Sequence, residues 1–238
     1  MPFDALAFSG CGTLNFYQTG VSSALQRRGL SPELLFAGSS AGSGLSALLA
    51  GGVDAREILS VASELLHPHR GKNLLFSPLV LQDFADRFLE TFVDDALHEA
   101  IGTRVHISIT RIKPWGNLLV NQFTSAEDLR QAIRASCHIP SVRYPSVMFR
   151  GQRCIDGGFS VNNPSVGQRC LRVSPFFFDL RMKIRPRRFT PPWWTVIAPS
   201  AGRAQRLFSQ GAQDGERYLK SVEGAFMTSG EPEIETRL

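Results

Sequence analysis

The stretch Leu34-Leu35-Phe36-Ala37-Gly38-Ser39-Ser40-Ala41-Gly42-Ser43 decides the fold. Leu34 to Ala37 predicts a short buried strand, and Ser43 to Leu49 predicts a helix of small residues ending at Gly51-Gly52. Between them, Gly38-x-Ser40-x-Gly42 has the pattern of a nucleophile elbow. There the chain turns so sharply from strand into helix that a side chain at either glycine would meet neighbouring backbone. Such a turn lifts the Ser40 hydroxyl above the sheet. It also leaves a helix N-terminus beneath it, whose amides favour developing negative charge.

Upstream, Leu6-Ala7-Phe8 reads as another apolar strand running into Ser9-Gly10-Cys11-Gly12. A helix follows from about Leu14 to Arg28, with a basic last turn and Gly29 as its stop. This β-α-β-α order predicts a mostly parallel sheet covered by helices. The glycine-rich turn after the first strand can aim several backbone N–H groups at one anion. A dinucleotide site is the decoy here. Asn15 stands where its third glycine belongs, and Ala37-Gly38 ends the second strand without a ribose-binding acid.

Downstream, Asp54 to Glu99 reads as mainly helical, broken by Pro68 and Pro78, with Phe84, Phe88, Leu89 and Phe92 as a core-facing stripe. Strands are expected at Val105 to Ile109 and Leu118 to Phe123, around a turn at Lys113 to Asn117, and a helix at Ser125 to Ser136. Val147 to Phe149 and Arg153 to Ile155 predict a hairpin around Gly151-Gln152, feeding into Asp156-Gly157-Gly158. No repeat or low-complexity linker interrupts the chain. The expectation is therefore one domain over 1–238, with a core of about 4–175 and an extension of about 176–238 packed on it. The extension ends in a helix from about Ala201 to Val222.

A nucleophilic serine needs a base. Nothing after His138 is a histidine, so His138, with an acid such as Asp128 before it, is one candidate. The other is Asp156, which ends an apolar segment at a tight turn. An ordinary Asp of pKa about 3.9 is a weak base, so this choice needs desolvation and a good oxyanion hole.

With 238 residues, 43% of them hydrophobic and 20% charged, the chain belongs to neither the disordered nor the collagen-like class. No run reaches the roughly 18 apolar residues of a membrane-spanning helix. Met1-Pro2-Phe3-Asp4 lacks the basic start of a secretory signal, so a cytoplasmic location is expected. The four cysteines show no Cys-x-x-Cys spacing; neither metal nor cofactor is expected. A net charge of +5 suits nucleic acid, an anionic membrane or an acidic partner, and no nucleic-acid-binding signature is present. Arg181, Lys183, Arg185, Arg187 and Arg188 lie between Phe176-Phe177-Phe178 and Trp193-Trp194, a pattern that fits either a loop meeting a lipid surface or core aromatics with a solvated basic rim.

In that order, Gly10-Cys11-Gly12, Gly38-Ser39-Ser40-Ala41-Gly42 and Asp156-Gly157-Gly158 resemble the patatin-like phospholipase family. Phe8 to Leu14 with Tyr17 and Gly20, Ala135 to Pro140, and Asn162-Asn163-Pro164 resemble its animal-type branch, and Leu207-Phe208, Gly211, Asp214 and Tyr218-Leu219 carry the likeness towards the C-terminus. The resemblance implies a three-layer α/β/α domain and hydrolysis of lipid acyl esters at a membrane or lipid-droplet surface. It implies a Ser40–Asp156 dyad, Gly10, Cys11 and Gly12 as the oxyanion loop, and His138 as a pocket residue. Gly38, Gly42, Gly157 and Gly158 support these motifs. The family usually has glycine where Asn15 stands, so a differently shaped loop is expected, with Asn tolerating left-handed backbone.

Overall fold

A computed structural model describes residues 2–142 and 144–228. Seven strands form one sheet: β1 (Ala5–Phe8), β2 (Leu35–Ser39), β3 (Val105–Arg111), β4 (Gly116–Val120), β5 (Val147–Phe149), β6 (Gln152–Asp156) and β7 (Cys170–Val173). The parallel core runs β7-β1-β2-β3, and β1 and β2 are almost wholly buried, as strands covered on both faces must be. Strands β4, β5 and β6 are joined to this core antiparallel. Helices flank the sheet in a three-layer α/β/α arrangement. They are α1 (Asn15–Arg27), α2 (Ala41–Ala50), α3 (Ala55–Leu66), α4 (Pro78–Phe92), α5 (Asp95–Ile101), α6 (Ala126–Ser136) and α7 (Ala201–Thr228).

Register along β3 is what positions the site. β4 pairs with residues 107–111 of β3, overlapping the stretches taken by both β2 and β6. A strand has only two edges, so β2 and β6 follow one another along the edge opposite β4. Ser39 then faces Ser108 and Asp156 faces the next residue, Ile109. The ends of two strands more than a hundred residues apart in sequence are thereby brought side by side.

Several expectations shift in detail. The hairpin turn is Arg150-Gly151, both at positive φ (46° and 75°), and Gln152 already pairs with Phe149. Arg150 is held there by Asp128, 2.6 Å away, and by the Gln122 carbonyl. Leu118 to Phe123 is a strand only as far as Val120. Pro78 opens α4 rather than breaking a helix, since the first turn needs no N–H from it. Strand β7 was not expected: Cys170-Leu171-Arg172-Val173 is short and carries a charge. Arg172 is accommodated by donating to the side chain and carbonyl of Asn163.

The C-terminal helix is tied to the first. Tyr17 donates to Asp214 at 3.0 Å. A Cβ on Gly20 would stand 2.0 Å from the Phe208 carbonyl oxygen, and one on Gly211 would stand 1.9 Å from that of Tyr17. Glycine on both sides lets the backbones of α1 and α7 touch. The final residues of the extension, 229–238, lie outside the described residues.

Candidate active site

Ser40 sits between β2 and α2 with φ 51° and ψ −131°, a conformation costing on the order of 1–3 kcal/mol for a residue with a side chain. The surroundings enforce it. A Cβ on Gly38 would fall 2.1 Å from the Gly42 carbonyl oxygen, and one on Gly42 would fall 2.6 Å from that of Phe8. The Ser40 amide donates to Ser136 Oγ at 2.8 Å, and Ser136 in turn donates to the Ser108 carbonyl at 2.7 Å. Its carbonyl accepts from Ser43 Oγ. The elbow is thus fixed from both sides, with the Ser40 hydroxyl left facing the cavity.

Asp156 ends β6 and is 6% exposed. Its amide donates to the His138 carbonyl at 2.8 Å, its carbonyl accepts from Thr110, and its Oδ1 accepts from the Gly158 amide at 2.7 Å. Gly157 has no room for a side chain, because a Cβ would lie 2.0 Å from the Ser108 carbonyl oxygen. Burial pushes the Asp156 carboxyl up to about 6, against smaller opposing effects from the Ser40 hydroxyl and the Gly158 amide. Such a group remains mostly ionised near neutrality yet is a far better proton acceptor than a solvated carboxylate.

The loop after β1 lies against both. Gly12 has φ +51°, and a Cβ there would meet the Thr195 carbonyl oxygen at 2.1 Å. The Gly10 amide does not point into the site: it donates to the Asn162 carbonyl at 3.0 Å. This differs from the expected three-residue donor loop. Among the described residues, the amides of Cys11 and Gly12 donate to nothing. Gly10 instead supplies closeness, since a Cβ on it would stand 2.6 Å from Asn162 Oδ1 and 3.0 Å from Ser40 Cβ. Asn15 needs no left-handed backbone (φ −57°); it begins α1 and accepts from Gln18 at 2.9 Å.

Two residues matter that the sequence reading did not single out by role. Gln18, fully buried, accepts from the Ser9 amide and donates to the Ser9 carbonyl, both at 2.9 Å, and so clamps the base of the loop. A signal was present: Gln18 is a long polar side chain one turn after Leu14 and one before Val21, on the side of α1 that faces the core. Asn162 is the second. Its amide oxygen lies against Gly10 on one side, and a Cβ on Gly158 would stand 2.9 Å from it and 3.0 Å from Asp156 Oδ1. Its side chain therefore borders both the Ser40 and the Asp156 sides of the site.

His138 lines the same cavity, but its Nε2–H donates to the Tyr144 carbonyl at 3.0 Å. Among the described residues it makes no hydrogen bond to Ser40. His67 and His69 lie in a short helical turn beside Arg70 and Lys72, away from the cavity. Burial raises the thiols of Cys11 and Cys137, the latter to about 12, so both stay neutral and neither is an activated nucleophile. Among the described residues no group of three or more His, Cys, Asp or Glu is placed to hold a metal.

The cavity in front of Ser40 has a volume of about 870 Å³. One end is polar, with Ser40, Asp156, His138 and Asn162; the rest is walled by α3 and α4 through Ile58, Ala62, Leu66, Phe84 and Phe88. The aromatic stripe of α4 is thus divided. Leu89 and Phe92 are buried in the core, while Phe84 and Phe88 face the cavity. An Asp86–Arg134 ion pair of 2.7 Å ties α4 to α6 at the wall. The cavity is thus polar at the Ser40 end and largely apolar along α3 and α4.

The family model for patatin-like phospholipases matches residues 6–165, which contain every residue named in this site except Thr195. The chain belongs to the patatin-like phospholipase family. Among relatives, the mouse 1-acylglycerol-3-phosphate O-acyltransferase Pnpla3 is 32% identical over 78% of this chain and 47% of its own length. The mouse omega-hydroxyceramide transacylase is 29% identical over 94% of this chain and 42% of its own length. The chain therefore spans about half the length of these relatives or less. Among solved structures, VipD from Legionella pneumophila aligns with a TM-score of 0.54 at 13% identity, covering 93% of this chain and 67% of its own, a likeness of fold alone. The overall fold is thus shared with a protein of widely diverged sequence.

Proposed function

We propose that this patatin-like protein is a lipid acyl hydrolase or transacylase in which Ser40 is the nucleophile and Asp156 the proton acceptor. One observation carries the reading: a buried carboxylate, raised to about 6, lies beside a serine on a strained elbow at the polar end of an apolar cavity. Ser40 Oγ attacks the ester carbonyl and its proton passes to Asp156. The oxyanion is met by the Cys11 and Gly12 amides, and the neighbouring Asn162 side chain is the candidate for a third donor. When the tetrahedral intermediate collapses, the carbon–oxygen bond to the leaving alcohol breaks and Asp156 returns the proton to it. Water or a second alcohol then attacks the acyl-Ser40 ester and gives its proton to Asp156. A second collapse releases the acid or new ester and restores the Ser40 hydroxyl. No metal or organic cofactor enters these steps.

The acceptor is left open between water and an alcohol. The family model is named for a phospholipase and the two relatives above for acyl transfer, and an apolar cavity suits an acyl chain without dictating the second partner. A soluble carboxylesterase with His138 as base has less support, because the His138 ring is engaged with Tyr144. The partner surface is a membrane or lipid droplet met from outside: no helix among the described residues is long and apolar enough to cross a membrane. The test is a panel of acylglycerols and phospholipids, with and without added acyl acceptors, read by mass spectrometry. Ser40→Ala serves as control, and fluorophosphonate labelling reports whether the serine is activated. Product formation by the Ser40→Ala protein equal to wild type would remove Ser40 from the chemistry.

A further inference from the structure

Residues 174–198 form a strap that reaches the cavity at Thr195 and Val196, and they carry a cluster of exposed apolar side chains. Phe178, Leu180, Phe189 and Trp193 are 56%, 75%, 59% and 57% exposed. They are not scattered. Phe176 stacks on Phe178 at 5.5 Å, Phe177 meets Phe178 at 5.4 Å and Phe189 at 4.9 Å, and Phe189 leads on to Trp193 at 6.2 Å. The inner members hold this chain of rings to the protein: Phe176 and Trp194 pack on the core, and the Arg203 guanidinium covers Trp194. Isolated exposed apolar residues need no explanation, but a connected row of them does.

Charge gives that row its partner. Arg181, Lys183, Arg187 and Arg188 are all exposed, and among the described residues none of their side chains makes an ion pair or a hydrogen bond. Elsewhere Arg27, Arg28, Arg87, Arg130, Arg134, Arg150 and Arg217 are each matched by a carboxylate. Arg56, Lys113, Arg153, Arg169, Arg206 and Lys220 are exposed and, among the described residues, without an ion pair; the strap differs in setting its free cations among exposed rings. Arg185 is the exception within the strap. It is half-buried and donates to the Phe177 carbonyl at 2.8 Å, so it serves the strap's own shape.

The strap also joins the cavity. Thr195 and Val196 line it, Ile197 pairs with Asn73, and the Ala198 amide donates to the Lys72 carbonyl. The adjoining tip carries Leu75 and Phe76, 42% and 85% exposed, with Leu75 itself lining the cavity. Exposed rings, uncommitted cations and residues that line an acyl-sized cavity therefore belong to one continuous stretch of chain. We propose that its exposed face docks on an anionic lipid surface, the rings entering at the headgroup boundary and the cations meeting the headgroup charges. Trp favours that boundary and Lys and Arg are drawn to anionic headgroups. The docking partner rests on the acyl-lipid reading above, which names a lipid substrate without naming the face that meets it.

The experiment uses the Ser40→Ala protein, so that binding is read without turnover. Two sets of changes are made in it: Arg181, Lys183, Arg187 and Arg188 all to Gln, and Phe76 and Phe189 both to Ser. Co-sedimentation is measured with phosphatidylcholine vesicles and with phosphatidylcholine–phosphatidylserine vesicles. The parent should partition at least tenfold more to the anionic vesicles, roughly what one or two basic contacts are worth. The Gln set should abolish that preference, and the Ser set should weaken binding to both. Equal partition of the parent to both vesicle types, or a preference that survives the Gln set, overturns the proposal. The same changes on the Ser40 background should leave turnover of a soluble short-chain ester unchanged. If the protein binds as described but hydrolyses no ester, the docking face stands and the acyl-transfer reading falls.

Discussion

The floor around Ser40 and the strap that reaches its cavity at Thr195 and Val196 are built on opposite principles. Around Ser40, Gly10 and Asp156 nearly every polar group of the backbone has a partner, and glycines stand where a Cβ would lie 2.0–2.6 Å from a neighbour's oxygen. Along 176–193 the rings touch one another, Phe178, Phe189 and Trp193 face outward, and four cations have no partner among the described residues. The first region gives up freedom to hold a strained residue in place; the second leaves surface uncommitted. Substitutions should therefore act steeply and through chemistry in the floor, and shallowly and through binding in the strap.

The largest effect tests the floor directly. Ser40→Ala and Asp156→Asn should each lower esterase kcat/KM by about 10⁴-fold, and the double variant should be little worse, because groups acting as one unit do not contribute additively. His138→Ala should retain at least about a tenth of the activity, since its ring only lines the pocket. A His138→Ala protein with normal melting but as inactive as Ser40→Ala would return the histidine to the role of base.

Next comes the clamp on the loop. Gln18→Leu keeps the volume but leaves the buried Ser9 amide and carbonyl without that partner. A cost of about 2–4 kcal/mol in stability is expected from the two unmet groups. Activity should fall roughly 10³-fold as the Cys11 and Gly12 amides lose their aim. Gln18→Glu keeps an acceptor for the amide and should rescue stability more than rate. Equal kcat in Gln18→Leu and wild type would mean that the loop is held by its glycines alone.

Asn162 gives the third test. Asn162→Ala should lower kcat by about 10²-fold, the worth of one oxyanion donor. A thionoester separates this from a structural role, because sulfur is the weaker hydrogen-bond acceptor. The variant should lose far more rate on the oxygen ester than on its thiono counterpart. A parallel loss on both would make Asn162 a spacer between Gly10 and Gly158 rather than a donor.

What could be read in advance follows the same division. Gly38, Ser40, Gly42 and the Asp156-Gly157-Gly158 turn were legible because backbone contact dictates residue type at fixed spacing. The parallel core was legible because strands buried on both faces read as unbroken apolar runs. Three things were not. Strand β7 is too short and too charged at Arg172 to stand out. The division of the α4 stripe into Phe84 and Phe88 on the cavity, and Leu89 and Phe92 in the core, depends on where α3 lies. The loss of the Gly10 amide to the Asn162 carbonyl is a contact between residues 152 positions apart, invisible to any local pattern. In the strap, aromatic composition alone did not say that Phe176 and Trp194 turn inward while Phe178 and Trp193 turn out.

The smallest effect links the floor to pH. If Asp156 is the base, kcat/KM should fall as pH drops through about 6, roughly tenfold per unit once well below it. Between about pH 7 and pH 5 the loss should be close to tenfold. Stability carries the opposite sign. The folded-state value of about 6 lies above the 3.8 of an ordinary Asp, so the folded protein holds the extra proton between them. The stability this group contributes is fully present below about pH 4 and is lost as pH rises through about 6. Asp156→Asn never ionises and escapes that loss, while its side-chain oxygen still accepts from Gly158. It should therefore melt higher than wild type at pH 7, by up to about 3 kcal/mol, with the gap closing towards pH 4. Asp4, Glu127 and Asp128 shift downward and destabilise the fold on acidification, but they are common to both proteins and cancel in the difference. A pH-independent gap, or an acidic limb unchanged in position when the esterase assay is repeated on the docking-face variants only, bears on different halves of the cavity. The first would show that burial does not raise Asp156. The second is the expected result, because nothing in the strap touches the carboxylate.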